Sequence, residues 1–162
     1  MMRLSDLVHT LDDVDPPPPY LPFGDNDMAG AEPAPRFEVA FSGAHTTSFR
    51  YEKGTGYTRS GTYAETGDDF VADTVLVLRV EQGDAGYLDP AGNPVPETIY
   101  EGSGALMLFH EGSVVEGTWS KEELKSPLEL TTKSGDALQV PPGNTWIELA
   151  PTDAAGGSVE VR

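Results

Sequence analysis

An all-β fold, mainly antiparallel and built as a sandwich or open barrel of roughly eight short strands, is what this sequence predicts. From Phe37 onward the apolar residues recur with a period of two, Phe37, Val39 and Phe41 alternating with Glu38, Ala40 and Ser42. Thr74 to Val80 is almost continuously apolar and β-branched, the pattern of a central strand covered on both faces. The 162 residues include 18 Gly and 14 Pro, about a fifth of the chain, which favours short strands and many turns over a helical bundle.

Taken in order, Leu4, Leu7, Val8 and Leu11 stand at i, i+3, i+4 and i+7 with Ser5 placed as N-cap. That spacing predicts a short amphipathic helix, closed by the acidic stretch Asp12 to Asp15. Pro16 to Pro19 are stiff and extended, and Gly24 to Pro35 reads as a mobile, acidic connector. The expected organisation is a helix and proline-rich arm over residues 1–35, a β domain over 36–151 and a flexible tail over 152–162.

Within the domain, Ser48 to Glu52 and Tyr57 to Ser60 flank Lys53-Gly54-Thr55-Gly56 as a hairpin. Asp89 to Pro94 is strong turn chemistry. Gly104 to Phe109 and Val114 to Trp119 form a second hairpin around residues 110–113. Ser120-Lys121-Glu122-Glu123 carries a capping-box pattern and predicts one helical turn. Leu128 to Thr132 and Ala137 to Val140 make a third hairpin, and Thr145 to Ala150 the last strand.

The charge narrows the partners. With 27 acidic and 10 basic residues the formal charge is −17, which repels nucleic acid and anionic lipid surfaces. The absence of cysteine excludes disulfides, thiolate metal sites and cysteine nucleophiles. No apolar run is long enough to span a membrane, and the first residues lack the apolar core of a signal peptide. No cofactor is expected.

Catalytic patterns are thin. His9, His45 and His110 show none of the short zinc spacings. Asp25-Asn26-Asp27 starts like a calcium loop, but Ala29 and Arg36 occupy two of the ligand positions. Asp68, Asp69 and Asp73 read as a solvated strand entrance, and Gly54-Thr55-Gly56 and Gly102-Ser103-Gly104 as tight turns. Arg59 ends a strand whose partner carries Phe49 and Tyr51, so its guanidinium is placed to stack on aromatics, pair with a buried carboxylate or receive an anion. Trp119 and Trp146 either close the core or, exposed with Tyr51 or Tyr57, form an aromatic platform.

Several of these stretches occur together in one known family. Phe49-Arg50-Tyr51, Tyr57-Thr58-Arg59, Phe109-His110-Glu111-Gly112, Gly117-Thr118-Trp119 and Pro142-Gly143-Asn144-Thr145-Trp146 follow the order of the C-terminal domain of the YerB-like bacterial lipoproteins (domain of unknown function 3048), and the chain resembles it from Arg36 to Pro151. The resemblance implies an exported, lipid-anchored envelope protein with a preceding domain and a lipidated cysteine. This sequence has no cysteine or export signal, so residues 1–15 are expected to be the trailing edge of that preceding domain. The family brings no catalytic residues.

The expected function is therefore a non-enzymatic extracytoplasmic binding module, contacting an envelope protein or cell-wall component through Tyr51, Arg59, Trp119 and Trp146. A hydrolase or transferase on cell-wall glycan or peptide, using Asp73, His110 and Glu111, is the alternative. A structural half-domain that completes a missing partner is another, and a dimer that swaps its arm stays open.

Overall fold

A computed structural model describes residues 19–26, 28–60 and 70–162; the helix expected at residues 4–11, residues 16–18, Asp27 and Asp68-Asp69 lie outside them. The described residues form a β sandwich of two sheets with twelve strands, several very short, and no closed barrel. The strands are β1 (Glu32–Pro33), β2 (Arg36–Ser42), β3 (His45–Glu52), β4 (Gly56–Ser60), β5 (Val71–Ala72) and β6 (Thr74–Leu88). They continue with β7 (Pro94–Ile99), β8 (Gly102–His110), β9 (Ser113–Lys121), β10 (Glu129–Thr132), β11 (Thr145–Pro151) and β12 (Ser158–Val161).

The larger sheet runs β1-β9-β8-β6-β11, with β10 on the edge of β9 and β7 beside the outer half of β6. Its pairs are antiparallel except β11, which lies parallel to β6 from Thr145↔Thr74 to Pro151↔Val80. The smaller sheet runs β12-β2-β3-β4-β5 and is antiparallel throughout.

Strand β6 is covered on both faces, as its composition predicts. Leu76, Leu78 and Val80 join Leu106, Leu108, Val115 and Trp119 on one side. Val75 and Val77 join Phe109, Val114 and Ala150 on the other, where the smaller sheet supplies Phe37, Val39, Phe49 and Tyr57. Phe37 is the centre of the inter-sheet layer, its ring stacked at 4.9 Å on Phe49 and 3.6 Å on Phe109. Burying side chains of this size contributes about 1.5–3 kcal/mol each, so this layer is the main bond between the sheets.

Four local expectations need correction. The residues read as a tail instead make a 3-10 turn at Asp153–Ala155 and strand β12, which pairs with β2 from Ser158↔Ala40 to Val161↔Phe37. The capping-box turn is not helical: Ser120 and Lys121 end β9, and Lys121 turns its ammonium inward. The connector at residues 24–35 is tied to the core, with Gly24 donating to the Val140 carbonyl and β1 pairing with β9. Gly104 sits inside strand β8 opposite Trp119, not in a turn. Strand β6 also runs to Leu88 and pairs there with β7, where polar residues with no buried face leave no periodic signal.

Candidate ligand-binding site

The Pro142-Gly143-Asn144 turn launches β11 beside β6. Gly143 has φ +137°, and a Cβ there would lie 2.5 Å from an Asp73 carboxylate oxygen, so this close approach requires glycine. Asp73 accepts the Asn144 N–H at 2.7 Å, while the Asn144 carbonyl accepts from Asp73 and Thr74. Anchored this way, β11 alternates Ile147 and Leu149 toward the outer core against Trp146, Glu148 and Ala150 toward the smaller sheet.

That alternation puts a carboxylate inside the sandwich. Glu148 is only 7% exposed and accepts hydrogen bonds from the Trp146 indole at 3.0 Å and the Thr47 hydroxyl at 3.2 Å. Burial raises its pKa above the usual glutamate value, while the charge of Arg59, both hydrogen bonds and His45 pull the other way. The Arg59 guanidinium carbon lies 5.2 Å from the centre of the Trp146 ring, within cation–π reach. Phe49 meets the same indole at 6.5 Å, and Phe70, 63% exposed, meets it at 6.3 Å from the solvent side.

The structure thus brings Arg59 and Trp146 together and separates the other two expected residues from them. Tyr51 shares the inner face of the β3–β4 hairpin with Arg59, but its ring packs on Tyr57 at 5.3 Å and lies against Gly112. Trp119 is 2% exposed on the opposite face of the larger sheet, its indole donating to the Arg79 carbonyl at 2.9 Å. It closes the core. Glu148, Thr47 and Phe70 are additions; a lone glutamate alternating with Ile147 and Leu149 was the one signal that could have marked Glu148.

The acid–base candidates meet at the start of β6 but are engaged elsewhere. His110 Nδ1 lies 3.0 Å from both the Thr74 hydroxyl and the Asp73 carbonyl. The Asp73 carboxylate holds Asn144, and Glu111 occupies the left-handed first position of the β8–β9 turn at φ 47°. Among the described residues no group of three or more His, Asp or Glu is placed to hold a metal ion, and no helix is long and apolar enough to cross a membrane.

The motifs that build this site also place the chain in a family. A family model described as protein of unknown function (DUF3048), C-terminal domain, matches residues 37–147. The chain belongs to the DUF3048 C-terminal domain family. The YerB protein of Bacillus subtilis has a similar solved structure, with a TM-score of 0.59 at 23% identity over 86% of this chain and 46% of YerB. At that identity the likeness is one of fold, and this chain spans less than half the length of YerB. No curated protein matches it. The matched residues of the DUF3048 domain take in β2 to β10 and the start of β11, so Arg59 and Trp146 fall within them while Glu148 lies just beyond.

Proposed function

We propose that this domain is a non-enzymatic, extracytoplasmic binding module of the bacterial envelope, docking an envelope protein or cell-wall component at the Arg59–Trp146 end of the sandwich. One observation carries the reading: Arg59 lies over Trp146, and the same indole is in contact with the exposed ring of Phe70. A cation and two aromatic surfaces at a sheet margin suit a sugar ring or a peptide segment. Glu148 accepts the indole N–H from beneath and is itself held by the Thr47 hydroxyl, with the Arg59 charge close enough to favour its ionised form. The envelope setting is supported by the family resemblance alone. A hydrolase built on Asp73, His110 and Glu111 has less support, because Asp73 and His110 already serve strand-end contacts.

The test is co-sedimentation with purified cell-wall sacculi. Wild-type protein is expected to pellet, and Arg59→Gln and Phe70→Ser to stay in the supernatant with unchanged far-ultraviolet dichroism. Undiminished pelleting of Phe70→Ser, whose ring is 63% exposed, would remove this site. Fluorescence adds an independent readout, since Trp119 is buried and Trp146 only half-buried. Iodide quenching is expected in wild type and lost in Trp146→Phe.

A further inference from the structure

The outer face of the smaller sheet, away from Trp146, carries a second feature. Four of the six arginines in the sequence, Arg36, Arg50, Arg59 and Arg162, border one groove of about 710 Å³ on this sheet. Two carboxylates, Glu38 and Glu52, line it with them. With the Arg59 guanidinium turned inward over Trp146, Arg36, Arg50 and Arg162 against Glu38 and Glu52 leave the groove an excess of one positive charge in a molecule whose formal charge is −17.

Strand register explains how they gather. Arg36 stands directly opposite Arg50 across β2 and β3, and the Arg162 backbone N–H bonds the Arg36 carbonyl at 2.8 Å. Phe37 and Phe49 point inward, so their neighbours Arg36 and Arg50 point outward on the same face. The result is a row of guanidiniums on three adjacent strands, about 4.8 Å apart from strand to strand.

The row is only partly neutralised from within. Arg162 bonds Glu38 at 2.9 Å and Glu160 at 3.3 Å, and Arg50 lies 3.9 Å from Glu52. Arg36 makes no ion pair with a described residue. Like charges directly opposite on an exposed sheet face are destabilising, so Arg36 facing Arg50 adds nothing to the fold by itself. Two adjacent forked donors are instead suited to one multivalent oxyanion.

From this we infer that the β12-β2-β3 face is a binding site for the phosphoryl group of a soluble ligand, held between Arg36 and Arg50. A phosphate monoester carries about two negative charges at neutral pH and offers three acceptor oxygens to the two guanidiniums. The Ser48 and Thr58 side chains border the same groove, the Thr58 hydroxyl donating to the Arg50 carbonyl at 3.3 Å. Lipid phosphate is the poorer occupant, because the acidic remainder of the molecule is repelled by an anionic membrane.

Thermal melting in inorganic phosphate, against chloride at equal ionic strength, tests the site through ligand linkage. The expected result is a saturable rise in Tm that survives in Lys53→Gln and disappears in the Arg36→Gln/Arg50→Gln double variant. Should the double variant fail to fold, Arg36→Gln alone gives the reading. An equal rise with succinate, no saturation, or a full response in the variants would overturn the proposal. So would arginine-dependent co-sedimentation with phosphatidylglycerol vesicles that soluble phosphate does not displace.

Discussion

Glu148 shows what one residue on the inner face of a strand can do. Its folded pKa stands above the ordinary value of 4.5, so in that window the folded chain binds more protons than the unfolded chain. Its contribution to stability is then fully present below the unfolded value and is lost as pH rises toward the folded one. Glu148→Gln keeps an acceptor for Trp146 and Thr47 but cannot ionise. The difference in urea-unfolding stability between variant and wild type is expected to grow in the variant's favour as pH rises through and above the ordinary glutamate range, and to level off once Glu148 is ionised in the folded chain. Glu148→Ala is expected to lose about 1–3 kcal/mol, since the indole and hydroxyl donors are left without their acceptor.

Gly104 is a second single-residue case. A Cβ there would lie 2.3 Å from the Arg79 carbonyl and 2.7 Å from the Trp119 indole nitrogen, the two partners of one buried hydrogen bond. Gly104→Ala is expected to cost about 2–4 kcal/mol in urea unfolding through overpacking and loss of that bond. Gly43→Ala, with nothing within 4 Å of the added Cβ, is the control and should change little.

At the scale of elements, the link between β9 and β10 depends on Lys121. Its ammonium, buried to 2% exposure, donates to the carbonyls of Glu123, Leu124 and Ser126 at 2.6–2.7 Å and lies 5.8 Å from the Tyr20 ring centre. A cation with three donors satisfies three converging carbonyls, which a capping box would not. Lys121→Met is expected to destabilise by about 1–3 kcal/mol and to speed limited proteolysis within residues 122–127. The same loop shows where element prediction fails. Ser120 to Glu123 has the composition of a helix start, but Lys121 belongs to β9 and its long-range packing overrides the local preference. Strands with one or both faces buried, such as β2, β6 and β8, were legible because burial imposes a period; β7 and β12 are mostly exposed and left no such mark.

For the molecule as a whole, the last eleven residues close the smaller sheet and tie it to the larger one. Arg79 bonds Asp153 at 2.7 Å and the Gly157 carbonyl at 3.0 Å, and β12 covers the edge of β2. Truncation after Pro151 is expected to lower Tm and to promote concentration-dependent self-association in sedimentation velocity, because an unpaired β2 edge is a template for another strand. It would also remove Arg162 from the basic row. The row stands in a molecule whose formal charge is −17.

The sequence by itself determined the β class, the inward face of most long strands, the Glu111-Gly112 turn and the motif order that marks the family. These are local properties, set by alternation and turn chemistry within a few residues. Only the tertiary structure decided which tryptophan is core and which is half-exposed, why Glu148 meets Arg59, and how Arg162 arrives beside Arg36. Those pairings join residues about a hundred positions apart, and they follow from strand order and register, which alternation leaves open.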